Sequence, residues 1–164
     1  MIILGIDPGT AITGYGIVQT NRSGQVRTLG YGAIRTESCQ AVDARLRRIY
    51  EQVCALLTEF EPDAMAVEQL FFNRNVTTAL AVGQARGVVI LAAACSSIPV
   101  AEYTPLQVKQ AVTGQGRADK EQVGYMVRLL LGLQSTPKPD DTADALAVGI
   151  CHAYNGRGWE VSRS

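Results

Sequence analysis

Apolar residues along the chain fall into two textures, short unbroken runs and longer stretches with a period near 3.6. Ile2-Ile3-Leu4-Gly5-Ile6 is of the first kind and predicts a strand buried on both faces. It stops in Asp7-Pro8-Gly9-Thr10, a carboxylate followed at once by a strong turn signal. Residues 13–19 and 26–36, both interrupted by glycine and separated by the polar loop Asn21-Arg22-Ser23-Gly24, predict two more strands. The chain thus opens as a three-strand antiparallel meander.

From 42 to 60 the pattern turns helical. Leu46, Ile49, Tyr50, Val53, Leu57 and Phe60 form one face, while Arg45, Arg47, Arg48 and Glu51 line the others, as on a solvated surface. Pro62-Asp63 ends that helix, and Ala64-Met65-Ala66-Val67 predicts a short buried strand closing on Glu68. Residues 76–95 predict an Ala/Gly/Val-rich helix whose small residues permit close helix–helix approach, within the fold or between subunits. A last strand is expected over 99–103. Thr104 as N-cap and Pro105 as first residue then start a helix that carries Lys109 and ends near Gly114.

Asp119 with Gln122 marks the start of a helix to about 131, with Val123, Met126, Val127 and Leu130 inward. After Pro137-Lys138-Pro139 a final helix is expected, with Asp140 as its N-cap and Leu146, Gly149, Ile150 and Ala153 as its buried stripe.

Bulk properties narrow the classes. A chain of 164 residues with 47% apolar and 18% charged residues suits one globular domain with a real core. No stretch approaches the ~20 apolar residues of a membrane span, and no basic segment precedes the first apolar run. A cytoplasmic protein without a membrane partner is the expectation. Cys39, Cys54, Cys95 and Cys151 form no C-x-x-C pair, and three of them sit in apolar or alanine-rich surroundings that predict burial. His152 is the single histidine, which argues against zinc and against most nucleophilic triads. Metal or acid–base chemistry must therefore lean on carboxylates.

The net charge of zero speaks mildly against nucleic acid, although 12 arginines against three lysines suit phosphate recognition. Gly114-Gln115-Gly116-Arg117-Ala118-Asp119-Lys120 lacks the ending and the preceding strand of a Walker A loop and is read as a flexible basic loop.

Asp7 has two readings: a turn former bonding nearby backbone, or a functional carboxylate at a sheet edge. Glu68 favours the second. A helical crossover makes the two strands parallel neighbours and brings both acids to one edge, where they repel unless a proton or cation is shared. Asp141 and Asp144 share a face of the final helix, although acids in a first turn also need no function. Such a set suits two Mg²⁺ ions about 3.5–4 Å apart, a pairing that cleaves phosphodiesters, and the lack of His and Cys ligands favours a hard cation. Phe71-Phe72-Asn73-Arg74-Asn75 offers adjacent aromatics, of which one suits the core and an exposed one would stack on or wedge between bases.

Gly5-Ile6-Asp7-Pro8-Gly9-Thr10, Thr13-Gly14-Tyr15-Gly16, Val67-Glu68-Gln69-Leu70-Phe71, Gly83-Gln84-Ala85-Arg86-Gly87, Gln107-Val108-Lys109-Gln110 and Asp141-Thr142-Ala143-Asp144-Ala145-Leu146 together resemble the RuvC family of crossover junction endodeoxyribonucleases. The resemblance runs from Ile2 to about Ala153. It implies an α/β, RNase H-like fold with a five-stranded mixed sheet flanked by helices, over residues 1–154; residues 155–164 carry no motif and are left as a short C-terminal tail, a place where disorder concentrates. It implies a homodimer that resolves four-way (Holliday) junction DNA by paired, Mg²⁺-dependent hydrolysis on opposed strands in recombination and repair, leaving a 5′-phosphate. Two Mg²⁺ ions are implied per site, replaceable by Mn²⁺.

By this likeness Asp7, Glu68, Asp141 and Asp144 are the catalytic, metal-binding acids. Lys109 and Lys120 contact DNA, as does Phe71 or Phe72 near the crossover, and the branch-migration proteins RuvA and RuvB are partners. Some family members carry His at the position of Asp141, so this chain is of the all-carboxylate type. Two other classes compete. Asp-x-Gly-Thr is similar to the phosphate loop of actin- and sugar-kinase-like ATP-binding proteins, which need a second domain that this chain has no room for. A junction-binding module without catalysis would be expected to have lost some of the four acids.

Overall fold

In a computed structural model that describes residues 1–69 and 76–156, the opening meander feeds a parallel extension. β1 (Ile2–Asp7) pairs antiparallel with β2 (Ile12–Thr20), and β2 with β3 (Val26–Arg35). Helix α1 (Val42–Phe60) carries the chain back, so β4 (Ala64–Glu68) lies parallel to β1 on its other side. Helix α2 (Val76–Cys95) repeats the crossover and sets β5 (Val100–Tyr103) parallel to β4. The sheet order is β3-β2-β1-β4-β5. Three helices follow: α3 (Pro105–Thr113), α4 (Lys120–Leu130) and α5 (Asp140–Asn155). This is the expected RNase H-like α/β architecture, a mixed five-stranded sheet between two helical layers.

Strict alternation along the strands splits the core in two. Leu4, Ile6, Ile17, Met65 and Val67 point to one face, against Ile49, Val53, Leu56 and Leu57 of α1 and Ala85, Val89, Ala92 and Ala93 of α2. Ile3, Val18 and Ala66 point to the other, against α5, with Val108, Val112, Val123 and Val127 of α3 and α4 behind it. Every one of these side chains is removed from water, each contributing about 1.5–3 kcal/mol where it is as large as Val or Leu.

Local chemistry sets the helix ends as expected at α3 and α4. Thr104 and Asp119 each accept the N–H of the residue three on, and Gln107 and Gln122 return a bond to the cap's own N–H. At α5 the expectation fails. Asp140 is the first helical residue, Pro139 occupies the N-cap position, and no side chain caps the helix. The Asp140 carboxylate is taken instead by Lys138, 2.6 Å away.

The buried stripe expected of α5 also proves too narrow. Residues Thr142 to Ala153 are buried with the sole exception of Asp144. The helix lies between the sheet and the α3–α4 layer, so only Asp144 reaches solvent over that length. Glycines let it in: a Cβ on Gly5 would collide with the carbonyl of Ala145 and sit 2.8 Å from Gly149 N. Helix α5 thereby crosses the sheet diagonally, from Gly32 of β3, which accepts from Thr142 Oγ1, to Tyr103 of β5, which meets His152.

Other corrections are smaller. Cys151 is buried, but Cys54 is half-buried and Cys95, the last residue of α2, is exposed despite its alanine-rich sequence. Arg47 and Arg48 are solvated as expected, whereas Arg45 is half-buried and its Nε donates to Thr36 Oγ1 at 2.8 Å. Helix α5 extends through Asn155, one residue into the expected tail. Phe71 and Phe72 and the remainder of that tail, 157–164, lie outside the described residues.

Candidate active site

The parallel register pairs Ile6 with Val67, so the next residues, Asp7 and Glu68, end β1 and β4 side by side. Pleating directs both to the α5 face, as it does Gly5 and Ala66 two residues earlier. On its other side Asp7 is paired with Gly14 of β2, and Gly14 underlies the backbone of Asp141. The first turn of α5, with Asp141 and Asp144, is thus laid over the ends of β1 and β2. All four sequence-predicted acids converge at one sheet edge.

Electrostatics records the convergence. Burial is the largest cause that pushes the Asp7 carboxyl up from 3.8 to about 7, and the charges of Asp144, Glu68 and Asp141 push it in the same direction. Burial also raises Glu68, with Asp144 adding to the effect and Lys109 and Lys120 opposing it. Both lysines expected to meet DNA therefore stand close enough to feel the acids. Lys120 does more: its Nζ lies 2.9 Å from Asp144 Oδ2.

The turn after Asp7 is held by residues that sequence reasoning passed over. Buried Thr13 donates its hydroxyl to Gly9 O at 2.7 Å. Thr36 donates to Thr10 O while receiving the Arg45 guanidinium, which ties α1 to the same turn. The Thr13–Gly9 bond is local, but the Thr36 and Arg45 contacts join separate elements, so no local signal marks the three as a network. Tyr103, paired with Glu68 across β4–β5, is a further neighbour of the edge. Its hydroxyl lies 2.8 Å from Nδ1 of His152, which is fully buried. Burial lifts the Tyr103 phenol to about 12 and depresses His152, so the pair carries no charge near neutral pH.

Beside the acids runs a cleft of about 330 Å³ lined by Lys120, Glu121, Gly124, Thr136, Lys138, Asp140 and Asp144, among others. A larger one, about 750 Å³, lies at the far end of β2 and β3, around Thr20, Asn21, Gln25 and Tyr154. It holds no acidic or nucleophilic cluster, whereas the smaller cleft is lined by Asp144, one of the four candidate acids. Among the described residues no three acidic, histidine or cysteine side chains stand close enough to grip a metal as they are. The donor set nonetheless suits a hard divalent cation, since four carboxylates crowd one edge and the most buried resists ionisation.

Known proteins resemble this chain in sequence and fold. The family model of the crossover junction endodeoxyribonuclease RuvC matches residues 3–152. The RuvC of Moorella thermoacetica is 61% identical over 153 residues, 93% of this chain and 91% of that protein. The RuvC of Desulforamulus reducens is 59% identical over 93% of each. Among solved structures, Thermus thermophilus RuvC in complex with a Holliday junction substrate superposes with a TM-score of 0.91 at 41% identity, covering 96% of this chain and 95% of that one. The yeast mitochondrial Holliday junction resolvase shares the fold, with a TM-score of 0.66 at 13% identity over 92% of this chain and 77% of that one. The chain belongs to the crossover junction endodeoxyribonuclease RuvC family.

Proposed function

We propose that the four carboxylates at the β1–β4 edge are the catalytic centre of a Holliday junction resolvase, a hydrolase that cuts DNA at crossovers. The family membership makes the chain an endodeoxyribonuclease. The observation that carries the assignment of the centre is the convergence of Asp7 and Glu68, side by side at the ends of β1 and β4, with the first turn of α5 and its Asp141 and Asp144, where burial and three like charges raise the Asp7 carboxyl. Such a group asks for a cation.

Asp7, Glu68, Asp141 and Asp144 would hold two Mg²⁺ ions, with Mn²⁺ as a substitute. Bound there, the metal would supply Lewis acidity to the scissile phosphate and an activated water for attack. The protein's own part is positional. Asp7 and Glu68 are fixed by strand pairing, Asp141 and Asp144 by the packing of α5, and the turn after Asp7 by Thr13, Thr36 and Arg45. Lys109 and Lys120 border the acids where the DNA backbone would pass, and Phe71 or Phe72 would meet the bases near the crossover. Hydrolysis would leave a 5′-phosphate and a 3′-hydroxyl.

The same reading makes the protein a homodimer that cuts two opposed strands. Helix α2 favours this, since Leu80 and Leu91 are 65% and 55% exposed on a helix with almost no polar face. Residues 1–154 would act as one nuclease domain and 155–164 as a tail, working in the cytoplasm alongside RuvA and RuvB. No helix among the described residues is long and apolar enough to cross a membrane.

The test is direct. A synthetic mobile four-way junction and a linear duplex of the same sequence are incubated with the protein, with and without Mg²⁺, and cuts are mapped. Paired nicks in the junction alone, only with metal, are expected. Tight junction binding without nicks would make the protein a non-catalytic binding module instead.

A further inference from the structure

Lys120 stands where the two halves of the proposed reaction meet. It is the first residue of α4, held at that place by the reciprocal bonds between Asp119 and Gln122. Its side chain is 67% exposed, yet its ammonium lies 2.9 Å from Asp144, whose side chain is only 26% exposed. Asp7 and Asp140 attract it from further off, and it in turn stabilises the charge on Glu68. A cation of the protein's own thus sits at the mouth of the acid set.

Two facts follow from this position. Asp144, whose charge is the strongest of the neighbouring acids on both Asp7 and Glu68, is already partnered by Lys120. And an ammonium shared between Asp144 and a DNA phosphate holds each less strongly than it would hold one alone, while a divalent ion on Asp144 would repel it. Resting on the resolvase reading above, we propose that Lys120 is an exchangeable counter-ion: a DNA phosphate draws it from Asp144, which frees that carboxylate for the metal and makes DNA and metal bind cooperatively. Linkage requires the coupling to be mutual, so metal must tighten DNA binding by the factor by which DNA tightens metal binding. Lys120 is in this sense a positioning residue, acting through Asp144. The long exposed stem of the lysine allows the move without any change in the fold.

The experiment measures metal binding, not turnover. Ca²⁺, which seeks oxygen ligands, is titrated by calorimetry into wild-type protein, Lys120→Gln, Lys120→Arg and Lys138→Gln. Each is measured alone and with a four-way junction that a denaturing gel shows to be intact. Without DNA, Lys120→Gln should bind Ca²⁺ about twofold to fivefold more tightly than wild type, as expected from the loss of one competing, partly exposed ion pair. The junction should tighten Ca²⁺ binding in wild type and Lys120→Arg, and should not do so in Lys120→Gln. Lys138→Gln, whose ammonium is engaged with Asp140, should behave as wild type.

The exchange is overturned if Lys120→Gln binds Ca²⁺ no more tightly than wild type without DNA, or keeps the full gain on adding the junction. An equal rise in Lys138→Gln overturns it too, because any nearby positive charge would then suffice. A wild-type protein that binds no Ca²⁺, or that does not prefer the junction to duplex, overturns the resolvase reading and this coupling with it. Loss of the exchange with junction cutting intact overturns the coupling alone.

Discussion

Gly14 and Asp141 are in backbone contact, with no room for a side chain between them: a Cβ on Gly14 would run into the Asp141 carbonyl. That contact seats the first turn of α5 on β2, next to the end of β1, and so brings two of the four acids to the other two. Gly14→Ala is expected to lift the helix start from the sheet. The overpacking should cost about 1–3 kcal/mol or more in denaturant unfolding, and should suppress cleavage further than the stability loss explains. Wild-type cutting by Gly14→Ala would refute the role given to this contact.

Asp7→Asn is expected to abolish metal-dependent cutting of a junction while leaving junction binding largely in place, as read by gel shift. The same variant carries a pH signature. In the unfolded chain the carboxyl titrates near 3.8, and in the metal-free fold near 7, so between these values the folded protein holds a proton the unfolded chain has released. The contribution of Asp7 to stability is full below about pH 3.8 and is lost as pH rises through about 7. Metal-free Asp7→Asn should therefore exceed wild type in stability at about pH 8 by an amount on the order of a few kcal/mol, with the gap closing by about pH 4. Thermal unfolding at the two pH values, without metal, measures it; a gap that widens on acidification would contradict the assignment.

Lys109 lies close enough to Glu68 to favour that carboxylate's charge. Lys109→Ala is expected to weaken junction binding and to reduce the slope of log affinity against log salt by about one, the share of a single phosphate contact. Anisotropy titrations over a range of salt concentrations decide it, and an unaltered slope counts against the contact.

Thr104→Ala removes one side of the reciprocal cap on the helix that carries Lys109. A loss of about 1 kcal/mol is expected in chemical denaturation, with cleavage under native conditions close to wild type. A much larger loss of activity would mean that the cap positions Lys109 rather than merely starting α3.

Much of this architecture can be read from the chain because its signals are local. The run Ile2-Ile3-Leu4-Gly5-Ile6 can only be a strand buried on both sides, and the periodic face of Leu46 to Phe60 can only be an amphipathic helix. Thr104 and Asp119 cap their helices through bonds to residues three positions on, so short-range chemistry suffices. The candidate acids are legible for a related reason: Asp7 and Glu68 are the first charges after aliphatic runs, and a helical crossover makes those runs parallel neighbours.

What depended on the tertiary structure was the partner of each group across space. Asp140 had the chemistry of an N-cap, but Lys138 claims its carboxylate and the helix starts one residue earlier. Cys95 had an alanine-rich setting, but it ends α2 and stands exposed. The all-round burial of α5, the seat of Asp141 on Gly14, the hold of Arg45 on the turn after Asp7 and the pairing of Lys120 with Asp144 join residues 9 to 127 positions apart. Hydrophobic period and turn chemistry act over a few residues and therefore determined the elements and the placement of the acids at their ends. The packing of one helix across a sheet acts over the whole chain, and it alone decided which charges face each other.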